Sequence, residues 1–235
     1  MPEKFMMSVL RRLCFCVLAL YAWSAQAQVA GVEYNWEEQR DRKGIKIFTS
    51  AVEQSPFRAV RGEMQVTGSI AALVALVEDL PNCEAWADLC KSSRSVEKMP
   101  DLPNEQYVHI YNDIPFPVKD RDVVAHLVWE KDSDTGRVSM HSTALSAEKS
   151  EKFVAITSKA IRITNAFSQW HFTPLESGRI LVESFAHIDP NGATPAWITN
   201  MLLVDSPYKT MVNMRDIIEA GGYADAVSRF ASKKL

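Results

Sequence analysis

The chain has 235 residues, of which 47% are hydrophobic and 23% charged, and its formal net charge is −3. This length and balance suit one large globular domain that buries its core without disulfides or metals. They exclude an intrinsically disordered chain, and the clustered Lys and Arg of a nucleic-acid binder are missing.

Lys4, Arg11 and Arg12 precede an apolar run over 13–23, and Ala25-Gln26-Ala27 follows. Positive charge, a short apolar run and a small-x-small site together make a secretory signal peptide. The run is too short for a membrane span, which needs about 20 residues. We therefore read 1–27 as a signal peptide and 28–235 as one domain, exported across the inner membrane to the periplasm. An uncleaved N-terminal anchor is the alternative.

After the leader, 34–39 reads as a short helix running toward Gly44, followed by strands over 45–49 and 57–66. In the second strand Val60, Met64 and Val66 alternate with polar residues, as in a half-exposed strand. Ser69 is placed to cap a helix over 70–80 that Pro81 ends. A short helical turn over 82–89 carries Cys83, with Cys90 just beyond. On one continuous helix these cysteines would stand about 10 Å apart, too far for a disulfide. A bridge therefore needs a bend between them, and two free thiols are the other reading. No His or second Cys pair stands near enough to suggest a metal site.

The pattern then turns to strands over 92–99, 106–112, 122–130, 137–145, 160–174 and 179–189, most of them separated by Pro, Gly and Asp turns. Successive strands with short turns make an antiparallel meander. Asp189-Pro190-Asn191-Gly192 forms a turn, Thr194 and Pro195 open a helix over 195–220, and Gly221-Gly222 close it. Pro207 lies inside that helix and should kink it. The class is α+β: a curved antiparallel sheet wrapped around one long C-terminal helix, with an internal cavity between them.

Four segments, in order, carry a family resemblance. They are Trp86 in NCEAWADL; the run Ile114-Pro115-Phe116-Pro117-Val118-Lys119-Asp120-Arg121-Asp122; Gln169-Trp170-His171-Phe172-Thr173-Pro174; and Asp189-Pro190-Asn191-Gly192 with Pro195 and Trp197, running to Asn213-Met214-Arg215. Together they resemble the START (StAR-related lipid-transfer) domain family over about 36–219. The resemblance implies a helix-grip fold whose cavity, under the C-terminal helix, holds a sterol, phospholipid, sphingolipid or other apolar molecule. It also implies transfer by opening of the helix or nearby loops at a membrane. The expected protein is a non-catalytic monomer that binds one hydrophobic ligand, transfers or senses it, and needs no cofactor, metal or nucleic acid.

By alternation Arg121, Val123, Ala125 and Leu127 share one face of their strand, and the resemblance turns Arg121 inward. A buried guanidinium needs hydrogen-bonding partners. The family's acid on the preceding strand is matched here by Tyr111, with His109 and Tyr107 in the same row; Asn112 and Asp113 are displaced in register. Glu183 is a substitute acid. A structural ion pair of Arg121 with Asp120 or Asp122 is the competing reading. From the C-terminal helix, Trp197, Met201 and Met211 complete the expected lipid-binding set, the methionines as soft, adaptable contacts. An enzyme of cyclase or aromatase type on the same scaffold is the functional alternative. It would require His109 or Tyr111 to meet Arg121 or Glu183 inside the cavity. G-x-S-x-G, H-E-x-x-H, P-loop and C-x-x-C motifs are all missing.

Overall fold

A computed structural model describes residues 33–230 except Pro100, Ala193 and Arg229, and without the side chains of Ser177, Ala196 and Trp197. The segment read as a signal peptide lies outside the described residues. The described residues from Tyr34 onward belong to one compact unit.

Strands β1 (Glu37–Arg42) and β2 (Ile45–Ser50) form a hairpin through Lys43 and Gly44, both at positive φ, 53° and 71°. This is the turn whose twist matches paired strands, and Gly adopts it without a Cβ clash. The expected helix over 34–39 is therefore not formed. Tyr34 and Trp36 stack on each other at 5.1 Å and meet the Phe185 ring edge-on at 5.3 and 6.0 Å. Ring packing and pairing with β2 outweigh the weak helical preference of a six-residue segment.

Strand β3 (Ala59–Thr67) leads to Ser69, whose Oγ accepts from Ala72 N at 3.1 Å and caps helix α1 (Ile70–Glu78). A 3₁₀ turn over Leu80–Ala85 carries Cys83. Leu89 turns the chain at φ 71°, and strand β4 (Cys90–Lys98) begins at once. That bend brings the two cysteine Cα atoms to 5.9 Å, and a disulfide joins Cys83 to Cys90.

Strands β5 (Glu105–Asn112), β6 (Asp120–Lys131) and β7 (Val138–Ala144) continue the meander. A five-residue helix α2 (Ala147–Glu151) follows, which the sequence reading lacked. The expected single strand over 160–174 divides at Thr164. Strand β8 (Ala160–Ile163) pairs in parallel with the first residues of β6, and β9 (Asn165–Pro174) pairs with β7. The division arises because β7 leaves β6 at the Ala125–Ala144 pair, and β8 takes over the vacated edge at residues 120–123. Strand β10 (Arg179–Asp189) completes a ten-stranded sheet in the order β1-β2-β3-β10-β9-β7-β6-β5-β4, with β8 on β6.

The C-terminal helix is broken into α3 (Ala196–Asn200), a wide π turn (Met201–Asp205) and α4 (Ser206–Glu219). Pro207 has no N–H for the carbonyl four residues back, and its ring crowds that turn, so the chain widens just before it. At the far end Gly221 adopts φ 87°; its N–H bonds Ile218 O at 3.0 Å and that of Gly222 bonds Ile217 O at 2.9 Å. This paired return closes the helix.

The core lies where α1 and α4 press on the concave face of the sheet. Met211 and Met214 of α4 pack with Leu73 and Leu76 of α1 and with Ile45, Ile47, Met64 and Val66, and all are nearly or fully inaccessible. Contact is closest at Gly62, where a Cβ would stand 2.4 Å from Met211 Sδ. No described helix is long and apolar enough to cross a membrane.

Candidate ligand cavity

The register of β5 against β6 decides which side chains face inward. Asn112 stands opposite Arg121, Ile110 opposite Val123, Val108 opposite Ala125 and Gln106 opposite Leu127. Directly opposed residues share a face, so this row looks toward α4. The intervening pairs, Tyr111 with Asp122, His109 with Val124 and Tyr107 with His126, occupy the other face.

The expected polar row of Tyr107, His109 and Tyr111 is therefore on the wrong side of the sheet for a ligand beside Arg121. Tyr107 stacks between His126 and Phe153 at 4.9 Å from each ring. His109 Nε2 is 2.9 Å from Asp122 Oδ2, and Asp122 takes both Nε and Nη2 of Arg162, at 2.9 and 2.8 Å. Arg162 also donates to Ser150 Oγ of α2 at 2.7 Å. Burial pushes the Asp122 carboxyl up, but hydrogen bonds from His109 and Arg162, and the Arg162 charge, outweigh it and hold it at about 2. Tyr111 donates to Asp120 at 2.6 Å, and that bond to a carboxylate, chiefly, raises its phenol to about 12. These groups pin α2 and β8 onto the outer face.

Glu183 is on the outer face as well. It stands opposite His171 on β9 and Glu63 on β3, and its charge acts on Arg61. His171 is buried; desolvation first, then Arg137 and His141, lower its imidazole to about 4.

On the inner face a cavity of about 570 Å³ opens between the sheet, α3, the π turn and the start of α4. Ile198, Leu202, Leu203 and Pro207 cover it from the helical side, and Trp170, Ala186 and Ile188 line it from the sheet. Ile114, Leu89, Phe57 and Pro190 close the ends. Ile188 is 41% exposed and marks the rim. On the β5–β6 connection Phe116 is 95% exposed, two residues from the cavity-lining Ile114.

Of the residues singled out from sequence, Arg121 lines this cavity. Only 4% exposed, it donates Nε to Pro190 O and Nη2 to Asn191 O, each at 3.0 Å, and Nη1 to Lys119 O. Neither proposed acid partner pairs with it: Asp122 holds Arg162, and Asp120 accepts from Tyr111 and from Ile114 N at 3.0 Å. Backbone carbonyls solvate the charge instead. Burial lowers the guanidinium from its usual range, and the Asp120 charge raises it. Val123, Ala125 and Leu127 share Arg121's face but sit further along β6, in the packed core rather than the cavity wall. Met211 is in the core as well, against Gly62, and Met201 is half-buried on the π turn, outside the lining. The Trp197 side chain lies outside the described residues.

The sequence reading did not select most of the polar lining: Arg58, Ser168, Gln169, Ser184 and several hydroxyls of the helical side border the cavity, as do Asn112 and Asp88. Asn112 is the inward partner of Arg121, and the strict alternation of Val108, Ile110 and Asn112 was the signal for it. Asp88 lies in the turn after the 3₁₀ segment and also lines the cavity. Nothing in the local sequence marks it.

The START domain model matches residues 21–218. An uncharacterised protein of Pseudomonas aeruginosa is 28% identical over 198 residues, covering 82% of this chain and 94% of the relative. The crystal structure of a STAR-related lipid transfer protein from Xanthomonas axonopodis superposes with a TM-score of 0.68 at 27% identity, covering 78% of this chain and 98% of that one. Human StAR-related lipid transfer protein 5 shares the fold, with a TM-score of 0.68 at 16% identity, over 83% of this chain and 89% of its own.

Proposed function

The chain belongs to the START domain family, and on that premise we propose that it carries one hydrophobic molecule at a time between membranes of the periplasm. Export would follow from the N-terminal leader. The observation that carries the reading is the cavity of about 570 Å³, with apolar walls and a buried cation at one end. Apolar walls supply affinity by removing ligand surface from water, about 25 cal/mol per Å². A few polar groups then fix orientation.

Loading needs a way in. Helix α3 and the π turn form one wall in which Ile198 is the one buried side chain among those described. Phe116, fully presented between two prolines beside Lys119, suits a transient contact with a lipid surface next to the rim. The cyclase-type alternative needed His109 or Tyr111 to meet Arg121 or Glu183. Arg121 is inside and the other three are on the opposite face, so no such pair is assembled there.

Filling the cavity tests the reading. Ala186→Trp places an indole where the ligand would lie, and the variant should lose at least tenfold in affinity for a fluorescent fatty acid while melting within a few degrees of the wild type. Equal affinity in a well-folded Ala186→Trp protein would place the ligand elsewhere.

A further inference from the structure

We propose that Arg121 is a clasp: it ties the β5–β6 connection, which carries Phe116, to the turn at 190–191 where the helical wall of the cavity is rooted, so that these two sides of the mouth loosen together. That the mouth admits a ligand rests on the carrier reading above; Arg121 as the residue that couples its two sides goes beyond it.

Asp189 ends β10, and Asn191 and Gly192 follow with φ of 52° and 70°. Two successive left-handed residues reverse the chain. The carbonyls of Pro190 and Asn191 both come within reach of one guanidinium: Arg121 Nε donates to the first and Nη2 to the second, each at 3.0 Å. This is the forked edge of the group, whose parallel N–H bonds elsewhere take the two oxygens of a carboxylate. The Asn191 side chain holds the turn from the other side, with Nδ2 donating to Arg162 O of β8 at 2.8 Å. Helix α3 begins at Ala196, and Ile198 N bonds Pro195 O at 3.0 Å, so the helical wall follows the turn with little slack.

The β5–β6 connection is fastened to the same stretch of β6. Ile114 N donates to Asp120 Oδ1 at 3.0 Å, Val118 N bonds Pro115 O at 3.2 Å, and Arg121 Nη1 donates to Lys119 O. One side chain, only 4% exposed, thus bonds the backbone on both sides of the mouth. Ile114 and Pro190, one from each side, both line the cavity.

Coupling follows from how the charge is solvated. A buried cation needs hydrogen-bonding partners. Asp120 and Asp122 are committed to other donors, so the partners of Arg121 are carbonyls from two separate segments. If one segment swings out, its carbonyls are lost, and water entering to replace them competes for the rest. Opening the first side is therefore costly and opening the second is easy. An aspartate on a neighbouring strand would have kept the charge satisfied whichever loop moved. Helix α4 stays out of this motion, because Met211 is seated against Gly62 in the core.

Hydrogen–deuterium exchange read by mass spectrometry on wild type, Arg121→Gln and Asn191→Gly tests the clasp. In Arg121→Gln, peptides covering 113–119 and 190–200 should both exchange faster by about tenfold or more, while those covering 208–219 keep the wild-type rate. Asn191→Gly keeps the left-handed backbone and its carbonyl but loses the bond to Arg162 O. The removed side chain bonds β8 and not 113–119, yet 113–119 should speed up in step with 190–200. This variant carries the test by itself should melting curves show that Arg121→Gln is unfolded. In both variants the association and dissociation rates of a fluorescent fatty acid should rise together, leaving Kd within about threefold of wild type. Faster exchange on only one side of the mouth, or an unchanged 113–119 in folded Asn191→Gly, would overturn the clasp and leave the carrier reading standing. So would a loss of affinity in Arg121→Gln with exchange unchanged, which would make Arg121 a ligand contact instead. Coupled exchange in a wild type that binds no dye would overturn the carrier reading and leave the clasp standing.

Discussion

Replacing Gly62 by alanine should destabilise the protein through one identifiable contact. A Cβ at this position would stand 2.4 Å from Met211 Sδ and 2.8 Å from Ser184 Oγ. Ordinary non-bonded contacts lie at about 3.5–4.0 Å, so the sulfur would have to retreat by more than ~1 Å. Met211 is fully inaccessible and belongs to the core cluster that α4 forms with α1 and the sheet. Overpacking of this kind costs about 1–3 kcal/mol. Alanine recovers part of that, about 0.5–1 kcal/mol, because it has less backbone freedom to lose in a strand. The net expected loss is about 1–2 kcal/mol, read as a lower urea midpoint with an unchanged slope. A double-mutant cycle isolates the contact: with Met211→Ala already in place, the added methyl has room, and the pair should be less destabilised than the sum of the singles by about 1 kcal/mol. Additive effects, or a Gly62→Ala protein within 0.5 kcal/mol of wild type, would refute the close seating of α4 on β3.

Three further outcomes follow from the outer face and the disulfide. His171 is held neutral, with its imidazole at about 4 against an ordinary 6.5. The stability this represents is present above pH 6.5 and lost as pH falls toward 4, roughly 3 kcal/mol in all, and His171→Gln should flatten that limb of the curve. Asp122, held at about 2 against an ordinary 3.8, contributes a second and lower window, about 2 kcal/mol lost between pH 4 and 2; Asp122→Asn should abolish it, at a cost of about 3–5 kcal/mol at neutral pH from leaving Arg162 buried and unpaired. Cys83 and Cys90 are seven residues apart, and closure of so short a loop stabilises by about 2–3 kcal/mol. A double serine variant should show that loss in denaturant titration, with the fold retained.

Much of the fold was legible because its signals are local. Ser69 caps, Pro195 opens and Gly221 closes where their own chemistry places them, and the turn residues between strands give the meander its order. Pro207 announced a defect in the last helix, and the widened turn at 201–205 is its form. What was not legible depends on partners distant in sequence. Whether Tyr111 or Asn112 faces the cavity is a one-residue question of register, settled by the length of the connection from 113 to 119. A slip of one residue sends every side chain to the other face. The same parity moves Glu183 out. The partners of Arg121 were missed because they are the backbone carbonyls of Pro190, Asn191 and Lys119, which no residue type reveals. Asp88 enters the site because a disulfide-closed turn and α4 meet there.

The most direct test of the carrier account is native mass spectrometry, with lipid extraction, on the protein purified from its native source. The expected result is one apolar molecule per chain, of a mass that fits about 570 Å³, lost from the Ala186→Trp protein. A chain that is empty as purified, and stays empty after incubation with single-chain lipids and sterols, would contradict the account.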